Sequence, residues 1–263
     1  MAESPELPNA RSRRKPSVAP RIERQSAALV RRSLRQFASP ERAKTHAWFF
    51  KTGKGEYGEG DVFIGVTVPE QRLVARHFRL LPLPEVDRLL TSRVHEERLT
   101  ALLILVDQFS RSKDEVERGR IFRLYLKRLR FVNNWDLVDA SAEYIVGGWL
   151  EDKPRGLLDR LAKSKHLWSR RVAMVATFHY IRQGESEDAV RIATALLADR
   201  HDLIHKAVGW MLREVDKRAG PAALQSFLEQ HAATMPRTML RYAIERLPPA
   251  ERTRWMQAGK RKQ

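Results

Sequence analysis

The sequence predicts an all-α protein built as a helical-repeat solenoid, and three observations carry that expectation. Apolar residues recur at helical spacing from about residue 25 almost to the C-terminus. No stretch alternates apolar and polar residues as a half-buried strand would. Similar segments, each opening on one or two basic residues and running into an apolar helix, return roughly every 32–38 residues.

Taken in order, residues 1–24 contain four prolines and almost no large apolar side chains. Such a segment cannot repay the entropy of ordering, so a flexible basic tail is expected. Its Arg11, Arg13, Arg14 and Lys15 either touch phosphate nonspecifically or are simply solvated. A single domain is expected over 25–250, with amphipathic segments near 25–37, 70–79, 96–109, 114–130, 135–150, 167–182, 186–198, 202–218, 221–231 and 237–247. Turn signals separate them: Ser39-Pro40, the glycine-rich stretch 53–60, Pro82 and Pro84, Lys153-Pro154, Gly184, Gly220-Pro221 and Pro248-Pro249. Residues 251–263 read as a basic C-terminal tail.

The repeat is visible when LWSRRVAMVA from Leu167 is set beside LIHKAVGWML from Leu203 and MPRTMLRYAI from Met235. This spacing suits stacked helix pairs of the HEAT or armadillo kind, each burying its apolar face only against neighbours. Basic residues at one place in each unit would then line a concave basic face. An ordinary helical bundle, its Arg and Lys solvating the outside, has the same periodicity.

Composition bounds the function. The 263 residues, 43% hydrophobic and 31% charged, are globular in character and enough to bury a core. Lys and Arg outnumber Asp and Glu by 49 to 32, which points to nucleic acid or another anionic surface. The absence of cysteine excludes disulfides, cysteine-ligated zinc and iron–sulfur clusters. No apolar run approaches the roughly 18 residues of a membrane helix. No apolar core precedes a cleavage site, so no signal peptide is expected. The expectation is a soluble intracellular protein, cytoplasmic and nucleoid-associated, without membrane contact.

Most candidate motifs fail on chemistry. Gly53-Lys-Gly-Glu-Tyr-Gly-Glu-Gly60 lacks the terminal Lys-Ser/Thr of a phosphate loop and the strand before it, and it carries two glutamates. It reads as a turn-rich connector. His95-Glu96-Glu97-Arg98 opens like a zinc-protease motif but has no second histidine at the required spacing. Glu96 and Glu97 are therefore read as acids complementing a helix N-terminus. The eight histidines do not cluster, no metal or cofactor is expected, and no Gly-x-Ser-x-Gly elbow supports serine hydrolysis.

Asn133-Asn134-Trp135-Asp136-Leu137-Val138-Asp139 is different. Asn133 or Asn134 suits an N-cap, which makes Asp136 a first-turn acid. Trp135 and Asp139 stand four apart and share one helix face. A carboxylate beside an aromatic platform sits badly against phosphate and well against a cationic centre. On residue chemistry alone, a core tryptophan beside a solvated aspartate is the favoured reading. Trp210 can likewise be plain core.

Three blocks together resemble the AlkD-like DNA alkylation repair glycosylases, a HEAT-like repeat family. The first runs from Phe49-Phe50-Lys51-Thr52-Gly53 through Tyr57 to Phe63-Ile64-Gly65-Val66 and Val68-Pro69-Glu70-x-Arg72. The second is Asn134-Trp135-Asp136-Leu137-Val138-Asp139. The third joins Trp168-x-x-Arg171-x-Ala173 to Lys206-Ala207-x-Gly209-Trp210-x-Leu212-Arg213-Glu214. Order and spacing are kept over residues 40–247.

The resemblance implies excision of purines alkylated at N3 or N7, such as 3-methyladenine and 7-methylguanine, from duplex DNA during base excision repair. It implies Asp139 as the catalytic carboxylate, Trp135 and Trp210 lining the site, and a DNA-binding set of Arg171, Arg213, Phe49 and Lys206. It also implies a monomer that works without a conventional base-flipping pocket. Phe49 stands where a tyrosine can occur in the family, and Leu203 where an aromatic can occur. The competing readings are a noncatalytic HEAT-repeat protein that binds distorted or branched DNA, and a protein scaffold with an acidic partner.

Overall fold

A computed structural model of the chain describes residues 25–258. The expected N-terminal tail, residues 1–24, lies outside them, as do residues 259–263. The described chain is all-helical. Among the described residues the only β-type pairing is an isolated bridge between Val62 and Val94.

Short polar residues start the first helices, as their chemistry requires. Ser26 caps α1 (Ala27–Arg35) and Ser39 caps α2 (Pro40–Phe49), where Pro40 takes the first helical position. A capping box between Thr67 and Glu70 opens α3 (Val68–His77). Then follow α4 (Leu83–Leu90), α5 (His95–Arg111), α6 (Glu115–Lys127) and α7 (Trp135–Asp139). The C-terminal half contains α8 (Gly156–Ala162), α9 (Leu167–Ala176), α10 (Phe178–Ile181), α11 (Glu187–Ala195), α12 (Asp202–Arg218), α13 (Pro221–His231), α14 (Arg237–Ala243) and α15 (Pro249–Gln257).

Periodicity missed α2, α4, α8 and α15. Two of these begin on a proline and a third, α4, carries one at its second position, each also reading as a turn signal, and all four span at most ten residues. The stretch expected as a C-terminal tail from residue 251 is therefore helical through Gln257, and Trp255 is buried. Two expected helices are broken. The 135–150 segment stops at Asp139 and resumes as a π-type turn over Glu143–Gly147. Between them the Ser141 hydroxyl donates to the carbonyl of Leu137 at 2.6 Å, a local bond that competes with the helix ladder. The 167–182 segment breaks at Thr177, whose hydroxyl donates to Met174 at 2.7 Å.

The helices stack in two rows. Along one row α3 packs on α5, α5 on α7, α7 on α9, α9 on α12 and α12 on α14. The second row covers it, with α4 and α6 against α5, α8 against α9, and α11 and α13 against α12. Apart from α2, none of whose residues is buried, each helix buries an apolar face against its neighbours in the stack, as a repeat array does. The repeat also shows in the side chains. Arg171–Asp139, Arg191–Asp159 and Arg213–Glu245 each join residues 32 positions apart, one repeat to the next. The backbones of α12 and α14 approach closely. A Cβ at Gly209 would overlap both Tyr242 and the carbonyl of Met239. No helix among the described residues is long and apolar enough to cross a membrane.

Candidate active site

The first row of helices, with the loop after α2, encloses a cavity of about 460 Å³. Phe49 comes from the end of α2, Tyr57 from the glycine-rich loop, Trp135 and Asp139 from α7, and Arg171 from α9. Leu203, Lys206, Trp210 and Arg213 come from α12, and Tyr242 from α14. All seven residues assigned a role by the sequence thus line one cavity. Tyr57 and Tyr242 join them. Tyr57 lay within the block that suggested the family, whereas nothing in the sequence marked Tyr242.

A five-residue helix cannot hold itself, because nucleation costs more than so few hydrogen bonds return. α7 is held from outside. Asn134 caps it through its side-chain oxygen, which accepts from the Trp135 N–H at 2.8 Å. The Trp135 ring stacks on Phe50 with centroids 5.2 Å apart and meets the edge of Phe49 at 5.9 Å. Phe50 is set by the glycine-rich loop, which folds back so that the Gly58 N–H donates to the carbonyl of Lys51 at 3.0 Å. A Cβ at Gly58 would overlap the carbonyl of Phe50. The glycines read as a connector therefore also build one wall of the cavity.

A buried charge cluster grips α7 from its other side. His95, at the start of α5, lies between two carboxylates, with Nδ1 3.1 Å from Asp61 and Nε2 2.8 Å from Asp136. Arg98 Nη2 lies 2.8 Å from Asp61, and the Asn133 amide donates to the same residue at 3.0 Å. Burial disfavours the charged imidazole. The Asp136 charge and the hydrogen bonds that His95 makes to both acids outweigh it, and the His95 pKa is pushed up to about 9. Burial alone would raise Asp61, but its hydrogen bond with His95 and the Arg98 charge hold it below the usual carboxylate range.

Glu96 and Glu97 are helix-start acids, as expected, and each also makes a contact far along the chain. Both lie in the first turn of α5, but neither caps it. The Glu96 carboxylate accepts from the backbone N–H groups of Ile64, Gly65 and Val66 at 2.8–3.3 Å and so fixes the turn that leads into α3. Glu97 is buried against Arg31 of α1 at 2.8 Å. Asp136 likewise does more than meet the helix dipole, since it holds His95.

Asp139 is not a solvated surface acid. Its side chain is 21% exposed and is gripped by Arg171, Nε to Oδ1 at 2.9 Å and Nη2 to Oδ2 at 2.7 Å. Two parallel N–H···O bonds are the fork geometry of guanidinium and carboxylate. Burial raises the Asp139 pKa above its usual value, against the opposing charge and hydrogen bonds of Arg171. Arg171 is itself buried and gives Nη1 to the carbonyl of Leu203 at 2.6 Å. Expected to hold DNA backbone, it is first of all the partner of Asp139.

The other cations at the cavity are paired with exposed acids. Lys206 meets Asp202 at 2.7 Å, and Arg213 meets Glu245. Phe49 is 53% exposed at the same cavity. Trp210 packs obliquely on Phe178 at 5.8 Å. Among the described residues no group of three or more His, Asp or Glu is placed to hold a metal ion.

An all-helical repeat stack with one acid among aromatics and basic residues defines the class to which the chain belongs. The profile of the family described as DNA alkylation repair enzyme matches residues 30–247, and the chain is a member of that family. Its fold is similar to that of a solved structure described as a predicted DNA alkylation repair enzyme from Enterococcus faecalis. The TM-score is 0.63 at 18% identity, covering 81% of this chain and 97% of that one. No curated protein matches the sequence.

Proposed function

We propose that the chain is a monofunctional DNA glycosylase that hydrolyses the N-glycosidic bond of N3- or N7-alkylated purines in duplex DNA. The observation that carries this reading is Asp139, a partly buried carboxylate held by Arg171 in one cavity with the indoles of Trp135 and Trp210. Alkylation at N3 or N7 leaves the purine with a formal positive charge. The C1′–N9 bond then breaks with its electron pair going to the ring, and the base departs neutral without a general acid, unlike ordinary glycoside hydrolysis. What remains at C1′ is an oxocarbenium-like cation. The Asp139 carboxylate stabilises it and accepts a proton from the water whose oxygen bonds to C1′. The electron-rich indole faces suit the cationic nucleotide.

Arg171 occupies one lone pair on each carboxylate oxygen and leaves the others for water. In this reading the cations beside the exposed acids, Lys206 and Arg213, exchange those acids for phosphates, and the half-exposed Phe49 supports the strand. The base need not be enclosed, and the protein works as a monomer on a concave basic face. The same Asp139–Arg171 pair is the one observation that favours the alternative, a noncatalytic binder of distorted DNA whose carboxylate serves only to hold Arg171. Release of 7-methylguanine from methylated duplex by wild type and by Asp139→Asn decides between them. Loss of release by orders of magnitude in the variant supports the glycosylase, and no release by wild type supports the binder.

A further inference from the structure

His95 is buried at the first residue of α5, outside the candidate cavity, yet it reaches the site by two routes. The first is polar. Its Nδ1 faces Asp61 at 3.1 Å and its Nε2 faces Asp136 at 2.8 Å. Only the doubly protonated ring has an N–H for each carboxylate, so the geometry calls for an imidazolium. With Arg98 on Asp61, two cations then face two acids, and removing either charge leaves one unmatched. The second Asp136 oxygen accepts from the Leu137 N–H at 2.9 Å, which ties the ion pair to the backbone of α7.

The other route is aromatic. His95, Phe50 and Phe63 form a triangle of rings with centroids 4.6–5.1 Å apart. The His95 ring stacks on Phe63, where a cation gains from the aromatic face. Phe50 in turn stacks on Trp135 at 5.2 Å. His46 meets both phenylalanines edge-on, with its own Nδ1 3.6 Å from Glu96. One imidazole therefore holds both residues of the first turn of α7, Trp135 through a ring and Asp136 through a charge. Arg171 holds the far end at Asp139.

We propose that His95 is a positioning residue of the glycosylase, which clamps the start of α7 and so sets the Asp139 carboxylate and the Trp135 indole against the sugar that loses its base. The inference rests on the glycosylase reading. DNA affinity is spread over many contacts and survives a small shift of one short helix. Bond breaking does not, because it depends on where the carboxylate stands relative to C1′. His95 touches no substrate, so its effect belongs in the rate of excision and not in the binding constant.

The test compares two quantities for each protein, at a temperature where circular dichroism shows it folded. One is the single-turnover rate of 7-methylguanine release at saturating enzyme. The other is the Kd for a duplex carrying a tetrahydrofuran abasic-site analogue. H95Q should release base about tenfold to a hundredfold more slowly, while its Kd stays within about threefold of wild type. D136N keeps the shape of the side chain and removes only the charge that His95 meets, so it should show the same split. The H95Q/D136N protein should be no slower than the slower single variant, because both changes break one contact. Should H95Q fail to fold, D136N, at a side chain still 12% exposed, decides by the same two quantities. Unchanged release in either folded variant, or a rise in Kd that matches the fall in rate, overturns the positioning role. Wild type that releases no base removes the glycosylase reading and this role with it. Release that Asp139→Asn abolishes and H95Q leaves intact removes the role alone.

Discussion

Arg171 holds Asp139 by both carboxylate oxygens, at 2.9 and 2.7 Å, and spends its remaining terminal nitrogen on the carbonyl of Leu203 at 2.6 Å. One side chain thereby ties three successive repeats, through α7, α9 and α12, at the point where the candidate chemistry sits. Arg171→Ala leaves a largely buried carboxylate without its counter-charge. Complete burial would make that cost about 3–5 kcal/mol. One-fifth of the Asp139 side chain remains exposed, so about 2–3 kcal/mol is expected, read as a lowered urea midpoint. Arg171→Lys should recover little of it, since an ammonium cannot make the two-pronged contact. Full recovery by lysine would show that charge alone matters.

The pH dependence follows from the same pair. Burial places the Asp139 pKa above its usual value, and Arg171 opposes that rise. Excision needs the ionised form, so the rate should fall as pH drops through the Asp139 pKa, at higher pH than for an exposed aspartate. Removing the opposing charge in Arg171→Gln should move this acid limb to higher pH still. Single-turnover rates across an acidic pH series measure both. A limb that stays in place in the variant would mean that another group controls it.

Part of this site is legible in the sequence. Trp135 and Asp139 are four apart on one helix, so helical geometry alone puts them on one face. The return of basic-then-apolar segments roughly every 32–38 residues foretells the stack. Partnerships between repeats are not legible in the same way. Arg171 meets Asp139, and Glu96 meets the amides of residues 64–66, only because turns of specific shape bring distant segments together. Local rules applied to Glu96 and Glu97 found a helix start and stopped there. Ser141 and the π-type turn are also outside the reach of periodicity, because the residues that break the helix are themselves compatible with one.

The His95 cluster yields a stability prediction. His95 titrates near its ordinary 6.5 when unfolded and at about 9 when folded between Asp61 and Asp136, with Arg98 nearby. A raised folded pKa means that the native state binds the extra proton more tightly. Its stabilising contribution is therefore complete below about 6.5, declines as pH rises, and is gone above about 9. Wild type should lose stability across that window, and His95→Asn should be less stable near neutral pH with a flatter dependence over the same range. Denaturant midpoints at several pH values test this. Parallel curves for the two proteins would exclude His95 as the titrating group.

Gly209 tests how closely α12 and α14 must approach to form the site. It precedes Trp210 on α12, and any Cβ there would overlap Tyr242 and the backbone of Met239. Alanine is the better helix former, and on a free helix Gly209→Ala would stabilise. Here the overlap should win, because the obstructing atoms belong to backbone and to a Cβ rather than to the end of a flexible chain. Overpacking of this kind costs about 1–3 kcal/mol, or several degrees in Tm for a domain of this size. Relief by sliding α14 outward would also carry Tyr242 away from the cavity it shares with Trp210 and Lys206. The variant should therefore combine a lower Tm with weaker binding to an abasic-analogue duplex at a temperature where it is fully folded. A variant as stable as wild type would show that the two helices can separate at no cost, and that the Gly-Trp pair is not needed to close this end of the site.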